Sequence, residues 1–131
     1  MARYLLDTDI CIFGLRDHPG VMSKLSSISS FDWGISSLTA FEVLRGVSSV
    51  GNQTTVDQSQ DFVSFAQVFP FQAAEAKRAA QVERELAKLG RPAGQIDTMI
   101  AGHALSLGLI LVTNNQRHFN SVPGLKLENW L

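Results

Sequence analysis

An α/β fold, with a parallel sheet covered by helices on both faces, is what this sequence predicts, and three observations predict it. Short strand-like stretches alternate with stretches of helical period along the chain. "LILVT", residues 109–113, is an apolar run of the kind buried on both faces of a parallel sheet. With 131 residues, 45% of them hydrophobic, the chain can fill one core and is too short for two, so residues 1–131 are expected to form a single domain.

Element by element, Tyr4 to Leu6 is a short strand, and Thr8 is expected to cap a helix from about Asp9 to Arg16 that stops at "DHPG". A short helix from Val21 to Ile28 leads to a second strand, "FDWGIS", residues 31–36. "SLTAFEVLRGVSSV" reads as a helix with Leu38, Phe41 and Leu44 on one face, and "GNQTT" breaks it. "VDQSQDFVSFAQ" is helical, and "VFPF" around Pro70 is a short strand or an extended link. From Ala73 to Leu89 the chain is Ala-rich, with Ala79, Val82, Leu86 and Leu89 on one side and Gly90 as the stop. A loop, "RPAGQ", precedes the helix "IDTMIAGHALSLG", which Gly108 closes; the strand at 109–113 follows, then a tail ending in "LKLENWL". Repeats, low-complexity tracts and linkers are absent from the sequence.

Charge excludes some partners. Eleven basic against 12 acidic residues leave a formal net charge of −1, so a polyanion or a membrane surface would have to be met locally. One cysteine, Cys11, fits a reducing compartment and reads as a small buried apolar residue. Asp7 interrupts the first apolar run too early for a signal peptide, and no apolar run approaches membrane-helix length, so a cytoplasmic protein is expected.

In parallel sheets ligands gather beyond the carboxyl ends of the strands. Asp7 sits at one such end and Thr113, Asn114 and Asn115 at another; Ser36 and Ser37 end the second strand and feed the helix carrying Glu42. Asp97 lies in the first turn of the helix before the last strong strand. Carboxylates crowded in one place repel each other unless they share a cation. Oxygen ligands without His or Cys at ligand spacing favour Mg²⁺, with Mn²⁺ able to substitute, and the chemistry such an ion supplies is phosphodiester hydrolysis.

Each acid also has a plainer reading. Asp7 could end a strand in a turn, Glu42 could close a Thr39-x-x-Glu42 capping box, and Asp97 and Asp9 could stabilise helix N-termini. Thr113 to Asn115 could bond their own backbone in a loop. His103 reads as a packed or surface histidine, and Arg117 and His118 as phosphate contacts or an ordinary turn. Lys77, Arg78, Arg84 and Lys88 read as a solvated face of the long helix, with RNA or partner docking as the minority reading.

"LLDT", "SSLTAFEVLRG", "GRPAGQIDTMIAGHAL" and "LILVTNNQRHF" together resemble the motifs of PIN-domain ribonucleases, specifically the VapC toxins of type II toxin–antitoxin systems. The resemblance covers nearly the whole chain. It implies a three-layer α/β/α PIN-like fold with a central, mostly parallel twisted sheet. It further implies a Mg²⁺-dependent endoribonuclease acting on structured RNA such as tRNA, held inactive by a VapB-like antitoxin, homodimeric and part of a larger assembly with that antitoxin. Asp7, Glu42 and Asp97 match three acidic metal-site positions, and Thr113 a hydroxyl beside them. One departure stands out: where many PIN domains carry a fourth acid this chain has Asn115, which removes a charge and favours one tightly held ion, with Asp9 as a partial substitute. Arg45, Arg91, Arg117 and His118 are the expected contacts to flanking phosphates, and Leu38 and Phe41 the apolar residues offered to a second copy. The rival enzyme reading is a haloacid-dehalogenase-like phosphohydrolase with Asp7 as nucleophile, although "VTNNQRHF" supplies neither its lysine nor its later acidic pair. The non-enzymatic rival is a binding domain whose acids are helix caps.

Overall fold

A computed structural model describes residues 2–48 and 52–131. Five strands, β1 (Tyr4–Leu6), β2 (Trp33–Ser36), β3 (Val68–Phe69), β4 (Ile110–Val112) and β5 (Leu127–Glu128), form one sheet in the order β3-β2-β1-β4-β5. Every pairing is parallel, with Tyr4 opposite both Trp33 and Ile110, Ile35 opposite Val68, and Leu111 opposite Leu127. All carboxyl ends therefore meet at one edge. The chain runs from β1 to β2 on one side and returns to β4 on the other, which places the switch point between β1 and β4.

Alternation along β1 sends its side chains to two separate cores. Tyr4 and Leu6 pack with Ile10, Val21, Trp33, Ile35 and Val43 beneath α1 (Thr8–Leu15), α2 (Pro19–Ser27), α3 (Ser37–Ser48) and α4 (Gln53–Phe65). Leu5 packs with Val82, Leu86, Ile100, Leu111 and Phe119 beneath α5 (Ala73–Lys88), α6 (Gln95–Leu107) and α7 (Gln116–Phe119). The three expected layers are present. Helices α5 and α6 approach closely because residue 102 is glycine: a Cβ there would stand 2.5 Å from Ala79 Cα. Gly108, at φ 68°, closes α6 in the left-handed region and turns the chain into β4.

Several local expectations need correction. The cap of α1 is Asp7, whose carboxylate accepts from Thr8 N, and the helix starts at Thr8 instead of Asp9. Helix α3 begins at Ser37 because Ser36 Oγ accepts from Leu38 N, so Thr39 is already helical and no capping box joins it to Glu42. Its core face is Ala40 and Val43, and Phe41 is 58% exposed, so the expected stripe of Leu38, Phe41 and Leu44 lies beside the buried one. Leu89 is exposed beyond the end of α5. The supposed tail holds α7 and β5, anchored by buried Val122 and Trp130. Residues 49–51, where the third helix was expected to end and "GNQTT" to begin, lie outside the described residues.

Candidate active site

Parallel strands deliver Asp7, Ser36 and Thr113 to the same edge, and the helices that follow or precede them add the rest. Asp7 is 5% exposed. Its Oδ1 accepts from Thr8 N at 2.8 Å and its Oδ2 from Thr113 Oγ1 at 2.8 Å, across the switch point. Thr113 Oγ1 accepts in turn from Asn115 N at 3.0 Å. Burial, then the charge of Asp9 and finally that of Asp97 push Asp7 up to about 7 against these hydrogen bonds. Desolvation therefore outweighs two hydrogen bonds. A carboxyl in that state gains from any cation brought beside it.

Asp9 lies within Coulomb reach of Asp7 and Asp97. Its Oδ1 accepts from Ile10 N at 2.7 Å and its Oδ2 from Asn114 N at 3.0 Å and Asn115 Nδ2 at 3.3 Å, so Asp9 ties the β4–α7 loop to α1. Burial raises its pKa, and the Asn114 and Ile10 N–H groups hold it down in part. Glu42 reaches the same edge through Thr8, whose Oγ1 donates to Glu42 Oε1 at 2.6 Å with the buried Thr39 Oγ1 3.4 Å away. Arg45 stands 3.9 Å from the other Glu42 oxygen. Asp97, on the first turn of α6, accepts from His118 Nδ1 at 3.1 Å and makes no capping bond of its own. Each of the three predicted metal-site acids thus has its own orienting partner: Thr113 for Asp7, Thr8 for Glu42, His118 for Asp97.

Among the described residues no three His, Cys, Asp or Glu side chains close around a common point. Each carboxylate is instead held by a neighbouring donor. The donor set nevertheless suits a hard divalent ion, being all oxygen, over-supplied with negative charge and centred on a buried carboxyl whose hydrogen bonds leave acceptor capacity on both oxygens. Asp7, Glu42 and Asp97 are the residues that would hold it.

Arg91, Asp97, Arg117 and His118 line one pocket of about 360 Å³. An apolar pocket of about 340 Å³ lies under α1, α2 and α4, lined by Leu6, Ile10, Cys11, Met22, Leu25 and Phe65 among others. Burial and the charges of Asp7 and Asp9 push the Cys11 thiol well up, in keeping with an inert apolar role. On α5, Arg78 pairs with Glu85 at 3.2 Å while Lys77, Arg84 and Lys88 are exposed. The sequence did not single out Thr8 or Ser36 as partners; His103, read as a packed or surface histidine, is fully buried with Nδ1 2.9 Å from Ser36 Oγ. Desolvation lowers its pKa, and its Nε2 has no partner.

The family model of the PIN domain matches residues 4–125. The chain belongs to the PIN-domain family. It is 40% identical over 131 residues to the tRNA(fMet)-specific endonuclease VapC of Shigella flexneri, covering 99% of each protein. As a fold, this PIN domain superposes on DNA-bound VapBC from Salmonella typhimurium with TM-score 0.93 at 35% identity, covering 100% of both chains. The VapBC2 structure from Rickettsia felis bound to a promoter DNA fragment gives TM-score 0.89 at 31% identity with the same coverage. The resemblance read from the sequence is thus shown, and the haloacid-dehalogenase alternative finds no support. No described helix of this PIN domain is long and apolar enough to cross a membrane.

Proposed function

We propose that this chain is a Mg²⁺-dependent endoribonuclease toxin that works in the cytoplasm on structured RNA, tRNA in particular, and is held in check by a VapB-like antitoxin. The observation that carries the reading is the buried Asp7 carboxyl, raised to about 7 with Asp9 and Asp97 close enough to repel it, at the switch point of a parallel sheet. Relatives named tRNA(fMet)-specific endonuclease support the choice of substrate. When bound, Mg²⁺ would polarise an attacking water and offset charge on the phosphoryl oxygens. The chain's own part is orientation. Thr113 fixes the Asp7 carboxylate, Thr8 fixes Glu42, and His118 fixes Asp97, so that three acids on three elements face one edge. Asn115, bonded to Asp9, adds an amide where many PIN domains have a fourth acid, which suits one resident ion.

Structural neighbours that are VapBC complexes support an antitoxin partner. An apolar segment of such a partner would find a seat in the pocket under α1, α2 and α4, where Phe65 is 70% exposed. A homodimer is part of the same reading, with exposed Phe41 on α3 available to it.

Cleavage of initiator and elongator tRNAs by the purified chain, titrated with Mg²⁺ after EDTA treatment, tests the proposal. Cutting of initiator tRNA that needs Mg²⁺ and is lost in Asp7→Asn, Glu42→Gln and Asp97→Asn supports it. Cutting that persists in EDTA or in Asp7→Asn overturns it.

A further inference from the structure

We propose that the pocket beside Asp97, walled by the 91–94 loop and α7, grips an RNA phosphate flanking the cleaved bond, so that the substrate is anchored on one side of the acid cluster only. The inference rests on the endoribonuclease reading and adds where the strand is held.

Four observations carry it. First, residues far apart in sequence converge there: Arg91 from the loop after α5, Asp97 from α6, and Arg117, His118 and Ser121 from α7 and the turn after it. Second, the local charge is opposite to that of the molecule. The chain carries a formal net charge of −1, yet this pocket sets two guanidiniums and an imidazole against the single carboxylate of Asp97. Third, among the described residues neither Arg91 nor Arg117 forms an ion pair, whereas Lys24, Arg45 and Arg78 each have a carboxylate within 4 Å. On the α3 side of the cluster the basic residue, Arg45, faces Glu42; on the α6–α7 side the two arginines are uncommitted. The asymmetry gives the substrate a direction.

Fourth, Asp97 is shared. It belongs to the acid cluster by its Coulomb effect on Asp7 and Asp9, and to the pocket wall by position, so an anion in the pocket lies beside the reacting edge instead of at a remote surface. The Nδ1 bond of His118 to Asp97 fixes the ring and leaves Nε2 as its remaining polar atom. Guanidinium forks match phosphate oxygens in pairs, and the hydroxyl of Ser121 adds a contact suited to phosphate or ribose. A volume of about 360 Å³ falls in the range of small-ligand sites, roughly 300–1,000 Å³, and exceeds what a bare ion needs.

The test compares wild type with Arg91→Gln/Arg117→Gln, a charge-keeping Arg117→Lys, and Lys77→Gln/Arg84→Gln on the exposed face of α5, each checked for an unchanged thermal melt. Steady-state tRNA cleavage in Mg²⁺ is measured across a salt series, alongside binding of labelled tRNA to the same variants in an Asp7→Asn background. The proposal expects the double Gln variant to raise KM by about tenfold or more with kcat little changed, and to flatten the salt dependence of binding by about one to two in log–log slope. Arg117→Lys should keep most of the slope while weakening affinity, and the α5 variant should match wild type. Unchanged KM and slope, a loss confined to kcat, an equal loss in the α5 variant, or a defect seen only in capture of an antitoxin would each overturn it. Should wild type cut no RNA, the endoribonuclease reading fails by itself, while the binding arm still decides the subsite: retained tRNA binding that depends on Arg91 and Arg117 upholds it, and no such dependence ends it.

Discussion

Two pockets of this molecule differ by little in volume, about 340 and 360 Å³, and sharply in the chemistry of their lining. Under α1, α2 and α4 the walls are mostly leucine, isoleucine, methionine and aromatic side chains; between the 91–94 loop and α7, Pro92 and Ala93 share the wall with two arginines, a histidine, a serine and one aspartate. Burial of apolar surface drives association with any complementary apolar segment, whereas unpaired guanidiniums select an anion of matching geometry. Volume alone therefore says nothing about an occupant. Helix α1 separates the two chemistries, since Asp9 faces the acid cluster and its neighbours Ile10 and Cys11 line the apolar pocket.

The strongest way to sharpen this contrast is to disable the strip between the pockets. Asp7→Asn is expected to lower kcat by about 10³-fold or more while leaving binding of both tRNA and antitoxin intact, read by single-turnover cleavage and two separate titrations. Loss of either binding would mean that the pockets are not independent of the acids.

Next in size is a pH effect on stability. Asp7 titrates near 3.8 when unfolded and near 7 when folded, so the folded chain binds a proton that the unfolded chain has released between these values. This group's contribution is fully present below pH 4 and is lost as pH rises through 7, by at most about 4 kcal/mol. Urea unfolding in EDTA should show wild type losing stability between pH 5 and 8 relative to Asp7→Asn, and Mg²⁺ should restore it at pH 8. An identical pH profile for the two proteins would contradict the burial argument.

Phe65→Glu/Met22→Glu, placed in the apolar pocket, is expected to weaken antitoxin capture by about 10- to 100-fold with tRNA cleavage unchanged, the mirror image of the arginine variants. A crossed result, with cleavage lost and capture kept, would erase the distinction between the pockets. The smallest effect is that of Asn115→Asp. A carboxylate there would face Asp9, 3.3 Å from the present amide nitrogen, so the melting temperature in EDTA should fall by roughly 2–5 °C. Mn²⁺ should recover it, with tighter binding by calorimetry.

Much of this arrangement is legible in the sequence, and the exceptions have physical causes. Strands β1, β2 and β4 announce themselves by apolar content, and α5 by its period. Strand β5 does not: Leu127 and Glu128 form two ladder positions whose register comes from β4, not from any local preference. The choice between Asp7 and Thr8 as cap is undetermined by residue type, since both are good N-caps; the sheet decides by holding Asp7 at the strand end, which frees Thr8 for Glu42. Glu42 looked like half of a capping box because Thr39 stands three residues before it, yet Ser36 had already started the helix. Phe41 misled by its size: small Ala40 and Val43 form the buried stripe, and large apolar residues beside it gave the stronger signal. The pairing of packed His103 with Ser36 gave none, because the two are 67 residues apart and only the folded sheet brings them together.

The middle place of β1 in the sheet has a consequence for how such a chain is made. Strand β1 pairs on one side with β2, but its other neighbour, β4, delivers Thr113, 106 residues after Asp7. Asp7 and Thr113 can thus meet only once the chain has been made through β4, so a growing chain carries Asp7 without its assembled setting. For a protein proposed to cut RNA, the paired Asp7–Thr113 edge is then missing from any nascent chain that has not yet reached β4.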